Sequence, residues 1–180
     1  MGRTRGSGAK RTALVGVLSA LSLALLYAAN LAPGGRMGVV AAAGLVPAAA
    51  VVSAGLPAGL FCYAATGLLG LLLVPDKGTA ALYLIFFGLY PVVKSLIERI
   101  KSLPAEYLCK LAFFNAVLSL FWFGLRGIFL PFLPAALTGA AWLVYAAGNL
   151  AFLAYDFGFS KLIAFYAGRI DSALRKGASF

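Results

Sequence analysis

Histidine is absent from this 180-residue chain, acidic residues number five, and cysteine appears twice. Each shortage removes a class of chemistry. Without histidine the chain lacks the commonest metal ligand and the usual proton shuttle at neutral pH. The carboxylates Asp76, Glu98, Glu106, Asp156 and Asp171 fall, by the hydropathy pattern, in turns, at membrane edges or in the tail. No single apolar run therefore supplies the paired carboxylates of acid–base or two-metal catalysis. A Gly-x-Ser-x-Gly elbow and a phosphate-cradling P-loop are missing as well. The expectation is a protein that is not an enzyme, with no cofactor and no metal site. Cys62 and Cys109 read as two buried thiols on separate helices rather than as a disulfide framework.

Charge is scarce too, at 11% of residues against about 25% in soluble domains. In its place stand a 63% hydrophobic composition and a mean hydropathy of +0.98. Repeated apolar runs are long enough to cross a hydrocarbon layer of about 30 Å. The fold class that follows is an all-α membrane protein. The net charge of +10 would suggest nucleic acid in a soluble chain. Here basic residues flanking membrane ends explain it, and no nucleic-acid partner is expected.

Six spans are predicted, over 12–32, 37–54, 58–74, 79–93, 105–125 and 132–155. The first resembles a signal peptide in its basic start, but its apolar run is as long as a full span and no small-residue cleavage site closes it, so an uncleaved helix is expected. Pro33-Gly34-Gly35, Pro75-Asp76-Lys77-Gly78 and the segment with Arg126, Gly127, Pro131 and Pro134 mark turns. Pro47 should kink the second span, and Pro104 opens the fifth where its missing N–H matters little. Lys94 to Lys101 is expected to extend the fourth helix into the interface, with exposed Lys94–Glu98 and Glu98–Lys101 pairs contributing only about 0.2–0.5 kcal/mol each. After Asp156 the pattern becomes that of an amphipathic C-terminal helix, with Lys161, Arg169, Arg175 and Lys176 among Leu162, Ile163, Phe165, Ile170 and Leu174. The domain organisation is thus a basic N-terminus over 1–11, a six-helix transmembrane domain over 12–156 and an amphipathic tail over 157–180.

Orientation follows from the basic residues. With the N-terminus inside, twelve lie on the cytoplasmic side: Arg3, Arg5, Lys10, Arg11, Lys94, Arg99, Lys101, Lys110, Lys161, Arg169, Arg175 and Lys176. Arg36, Lys77 and Arg126 lie outside. The asymmetry places the N- and C-termini in the cytoplasm. Five or seven spans would put basic clusters on opposite sides.

Neutral polar side chains remain as candidates for binding. Asn115 is expected near mid-membrane in the fifth span and Asn149 deeper towards the cytoplasm in the sixth. An amide grips a polar ligand or bonds a facing helix, and both readings stand. Tyr83, Trp122, Arg126, Arg36 and Asn30 lie towards the outer face, where they line an outward pocket or form an aromatic belt with snorkelling arginines. Tyr145 fits either class. Ala20, Ala24 and Ala28 recur every four residues, a smooth strip for close approach of another helix. Lys94, Arg99 and Lys101 form a basic cytoplasmic face.

The length, the six spans, the inward termini and the Ala20-x-x-x-Ala24-x-x-x-Ala28 strip resemble the S components of energy-coupling factor transporters, found in prokaryotic plasma membranes. That resemblance implies a substrate-binding subunit that captures a small, vitamin-like solute for an energy-coupled importer. It implies an outward pocket formed by the later helices, and partners in a transmembrane coupling subunit, docked on the alanine strip, and separate ATPase subunits. No ligand signature for riboflavin, thiamin, biotin or folate is found, and the missing histidines argue against nickel or cobalt. The alternative reading is a structural or assembly protein that binds a partner protein or anionic membrane lipid through its basic cytoplasmic face.

Overall fold

The computed structural model describes the backbone of residues 3–32, 34–133 and 139–171, and the side chains of 8–32, 34–133 and 139–168. Within these limits every regular element is helical. Among the described residues six helices are long and apolar enough to cross a membrane: Gly8–Leu31, Arg36–Ala54, Leu56–Leu73, Lys77–Ile97, Leu103–Gly124 and Ala141–Gly168. The chain is an integral membrane protein. Its regular α-helical segments are α1 (Arg3–Ala28), α2 (Arg36–Ala54), α3 (Leu56–Leu73), α4 (Lys77–Leu82), α5 (Tyr90–Ile97), α6 (Leu103–Ser119), α7 (Arg126–Phe129) and α8 (Ala141–Phe165). Two compact units are distinguished, Met1–Val92 with Lys161–Phe180, and Val93–Ser160.

In the first unit α1, α2 and α3 pack on one another. Val46, Ala50 and Cys62 form a buried core with Val15, Leu18 and Leu25 against it. Gly55, at φ +88°, makes the turn from α2 to α3 in a backbone region that side chains resist. Helix ends are closed by side chains. Arg11 donates to the carbonyl of Ala54 at the end of α2. Lys77 donates to Leu71 and Val74 at the end of α3. Asp76 caps α4 by accepting from the Gly78 N–H at 2.9 Å and the Thr79 hydroxyl at 2.8 Å.

Proline placement shapes this unit. Pro47 lies inside α2 and has no N–H for the Ala43 carbonyl four residues back. Ser22 of α1 meets that carbonyl, donating its hydroxyl at 2.9 Å. The same Ser22 oxygen lies 3.2 Å from the Tyr83 hydroxyl. Pro91 likewise offers nothing to the Phe87 carbonyl, and the chain opens there into a π-helical turn over Tyr83–Phe87 before α5 begins. The Phe87 carbonyl oxygen presses on Gly44, where any Cβ would overlap it.

Three expectations change. The helix expected to continue to Lys101 ends at Ile97, and Lys94, expected to be exposed, is buried against other helices. The sixth helix begins at Ala141, not near 132, because Pro131 falls in a short 3-10 turn, Leu130–Phe132, that follows α7. It then runs through Asp156 without a break. Cys62 is buried as expected, whereas Cys109 is exposed; both are free thiols. Pro33, Pro134, Thr138, Arg175, Lys176 and the side chains of Arg3, Arg5 and Arg169 lie outside the described residues.

Ser22→Ala is expected to leave the buried Ala43 carbonyl unsatisfied and to destabilise the protein by about 1–3 kcal/mol. Adding Pro47→Ala restores an N–H to that carbonyl and should recover part of the loss. Thermal unfolding of both variants in detergent reads the difference; a double variant no better than the single one would contradict the assignment.

Candidate functional site

The second unit concentrates polar side chains along one seam between α6 and α8. Ser119 and Tyr145 share a hydrogen bond at 2.6 Å. Asn115 donates to the Asn149 side-chain oxygen at 2.9 Å, and Asn149 donates back to Asn115 at 3.0 Å. Phe114 stacks on Phe152 with ring centroids 4.6 Å apart. Lys110 then donates to Asp156 at 3.3 Å. Residue numbers rise along α6 while those of the partners fall along α8, as antiparallel helices require.

The seam changes character along its length. At the amide pair each NH2 also donates to a carbonyl of its own helix at 2.8 Å, Asn115 to Leu111 and Asn149 to Tyr145. Both N–H donors of each amide are thereby engaged. Asn115 and Asn149 face each other at one level, in contrast to the staggered depths expected, because the sixth helix starts nine residues later than its hydropathy suggests. Beyond the stacked phenylalanines the seam is ionic.

Asp156 sits at the centre of that ionic part. One of its carboxylate oxygens accepts from Lys94 and the other from Lys110. Lys94 also donates to Ser160 at 2.9 Å and pairs with Glu98 at 2.8 Å. Lys110 pairs with Glu106 at 2.6 Å and with Glu98 at 3.3 Å. Lys94, Lys110 and Asp156 are 2%, 3% and 6% exposed. Lys110 lies seven residues into α6, about 10 Å along the helix. Asp156, expected at a membrane edge, lies in the middle of the apolar helix Ala141–Gly168 and is buried. Burial of Asp156 depends on two lysines from other helices, a fact that local hydropathy does not contain. One local signal existed: Tyr145, Asn149, Asp156 and Ser160 recur at helical spacing, so all four lie on one face of α8. Glu106 and Lys110 stand likewise at i,i+4 in the first turns of α6. Among the described residues no three of Cys, Asp and Glu converge as a metal site requires.

The remaining candidates have protein partners. Tyr83 is fully buried in the first unit, beside Ser22 and stacked on Tyr63 at 6.3 Å. Arg36 pairs with Asp76 at 2.9 Å. Asn30 donates to the Leu26 and Tyr27 carbonyls at the end of its own helix. In the second unit Arg126 lies over the Trp122 ring at 4.8 Å. These residues therefore divide between the two units: Arg36, Asn30 and Tyr83 in one, Asn115, Asn149, Trp122 and Arg126 in the other. On α1 the buried face is Ser19, Ser22 and Leu26, whereas Ala20 and Ala24 are exposed and Ala28 half-buried. Arg99 and Lys101 are exposed, unlike Lys94.

Asp156→Ala leaves two buried ammonium groups short of their central carboxylate and is expected to destabilise the protein by about 3–5 kcal/mol. Chemical unfolding in mixed micelles checks this, and a loss below about 1 kcal/mol would contradict a buried ion cluster. Asn115→Ala and Asn149→Ala in a double-mutant cycle are expected to show a coupling of about 0.6–1.7 kcal/mol; strictly additive losses would argue against the reciprocal pair. Compared with family models, curated proteins and solved structures, the chain matches none.

Proposed function

We propose that this protein is a non-enzymatic, substrate-binding membrane subunit that captures a small polar solute for an energy-coupled importer. The observation that carries the reading is the exposure of Ala20 and Ala24 on α1. The helix spends its other face, through Ser19, Ser22 and Leu26, on its own unit and leaves the small-residue strip to a partner. A coupling subunit approaching there meets methyl groups, so two helix backbones come close without displacing side chains. The amide pair Asn115–Asn149 and the Ser119–Tyr145 bond supply neutral donors and acceptors that a polar solute exchanges for its own. In this reading both termini are cytoplasmic, and the membrane is a prokaryotic plasma membrane.

A second reading is favoured by the junction between α5 and α6. Leu96, Ile100 and Leu103 are exposed apolar side chains interleaved with exposed Arg99 and Lys101. Such a surface suits anionic lipid or an acidic partner protein at the membrane edge.

Ala20→Trp and Ala24→Trp are expected to abolish co-purification with membrane partners while leaving the midpoint of thermal unfolding unchanged. Unchanged co-purification would reject the strip as a docking face. A vitamin and small-solute panel is expected to contain a compound that stabilises the purified protein by about 2.7 kcal/mol at one hundred times its Kd. No stabilising compound, together with lost partner binding in an Arg99→Gln/Lys101→Gln variant, would favour the second reading.

A further inference from the structure

We infer that Lys94 and Lys110 form a binding site for an anionic oxygen ligand, a carboxylate or phosphate, whose place Glu98 takes when the ligand is absent. The inference stands on the ion cluster alone and does not depend on the importer reading. An ammonium has three N–H donors. Around Lys94 stand Asp156, Ser160 and Glu98, and around Lys110 stand Asp156, Glu106 and Glu98. A single oxygen of Glu98 serves both, at 2.8 Å from Lys94 and 3.3 Å from Lys110. The two ammonium groups thus converge on one point where an anionic oxygen sits.

The anions holding that geometry are not equivalent. Asp156 lies within α8 with its side chain 8% exposed. Glu106 sits in the first turn of α6 with its side chain 15% exposed, one helical turn from Lys110. Glu98 follows the last residue of α5, and its side chain is 44% exposed. It reaches the lysines from the surface, and its withdrawal moves neither α6 nor α8. Charge favours exchange as well. Lys94 and Lys110 balance Asp156 and Glu106, so Glu98 is the surplus anion, and an incoming monoanion leaves the cluster's total unchanged. Its departure without replacement would remove one acceptor from each of two buried ammonium groups, which makes the vacated point a strong attractor for oxygen anions. Exposed Arg99 and Lys101 next to it raise the local anion concentration.

The same chemistry is offered by a free carboxylate or phosphate and by the phosphate of a lipid headgroup. The full-length protein in neutral detergent, titrated with inorganic phosphate against chloride of equal ionic strength, is expected to show a saturable rise in thermal midpoint. Glu98→Gln removes the competing charge, and its phosphate affinity should rise about tenfold. Adding Lys110→Met to Glu98→Gln should abolish the response. Arg99→Gln/Lys101→Gln lowers the local anion concentration and should weaken the response without abolishing its saturation.

Vesicles of phosphatidylcholine with and without phosphatidylglycerol separate the sources. Stabilisation by phosphate in phosphatidylcholine alone identifies a free anion, and stabilisation that requires phosphatidylglycerol identifies the lipid headgroup. Either supports the site. Equal behaviour of wild type and Glu98→Gln under every condition overturns it, as does a response that Arg99→Gln/Lys101→Gln abolishes. Should the Lys110→Met protein fail to fold, the comparison of wild type with Glu98→Gln decides alone.

Discussion

A polar group inside hydrocarbon has no water to turn to, so its partner must come from the chain itself. Most local features of this structure answer that constraint. Pro47 strips one carbonyl of its helical donor, and Ser22 from a different helix replaces it. A π-helical turn over Tyr83–Phe87 precedes Pro91, and Gly44 makes room for the Phe87 carbonyl oxygen. Asp156 is the most demanding case. A lone carboxylate there is prohibitively costly in its charged form, and two ammonium groups from two other segments make it tolerable. Each ammonium in turn requires further oxygens, which is why Glu98, Glu106 and Ser160 gather at the same point.

Much of the fold was legible because membrane spans declare themselves by length and hydropathy, which are local properties. The second and third spans agree with the sequence to within a few residues, and Pro104 does open the fifth helix. The site was less legible because its defining contacts are not local. Lys94 and Asp156 are 62 residues apart, and each, read alone, resembles a charge at a membrane edge. Lys94 followed by Glu98, Arg99 and Lys101 reads as one basic surface, yet the first is buried and the last two exposed. The end of α5 at Ile97 separates them, and on α8 helical phase was the legible signal. Asn149, Asp156 and Ser160 share a face, and a face carrying an amide, a carboxylate and a hydroxyl inside an apolar helix announces a polar partner, though not which one.

The two halves of the seam differ in what they permit. Asn115 and Asn149 satisfy one another symmetrically with neutral dipoles, so breaking them exposes two amides and no charge. The lysine cluster is asymmetric: one carboxylate anchored in a helix, one held a turn away, and one arriving from a helix end at the surface. Only the last can leave without moving a helix. The amide level is neutral and the lysine level ionic, and Phe114 stacked on Phe152 lies between the two.

Stability alone does not account for the lysine cluster. Replacement of a buried ion pair by apolar side chains of similar volume is often neutral or stabilising, so a chain that is 63% hydrophobic had simple means to fill this space. Five ionisable side chains meet at one point in a protein with only twenty charged residues. A purely structural clamp on Asp156 needs one lysine. The second lysine, and a third carboxylate held on both from the exposed side, go beyond what neutralising Asp156 demands. That surplus is the physical argument for exchange at Glu98: the arrangement keeps two buried cations oriented on a single oxygen whose carrier is free to withdraw.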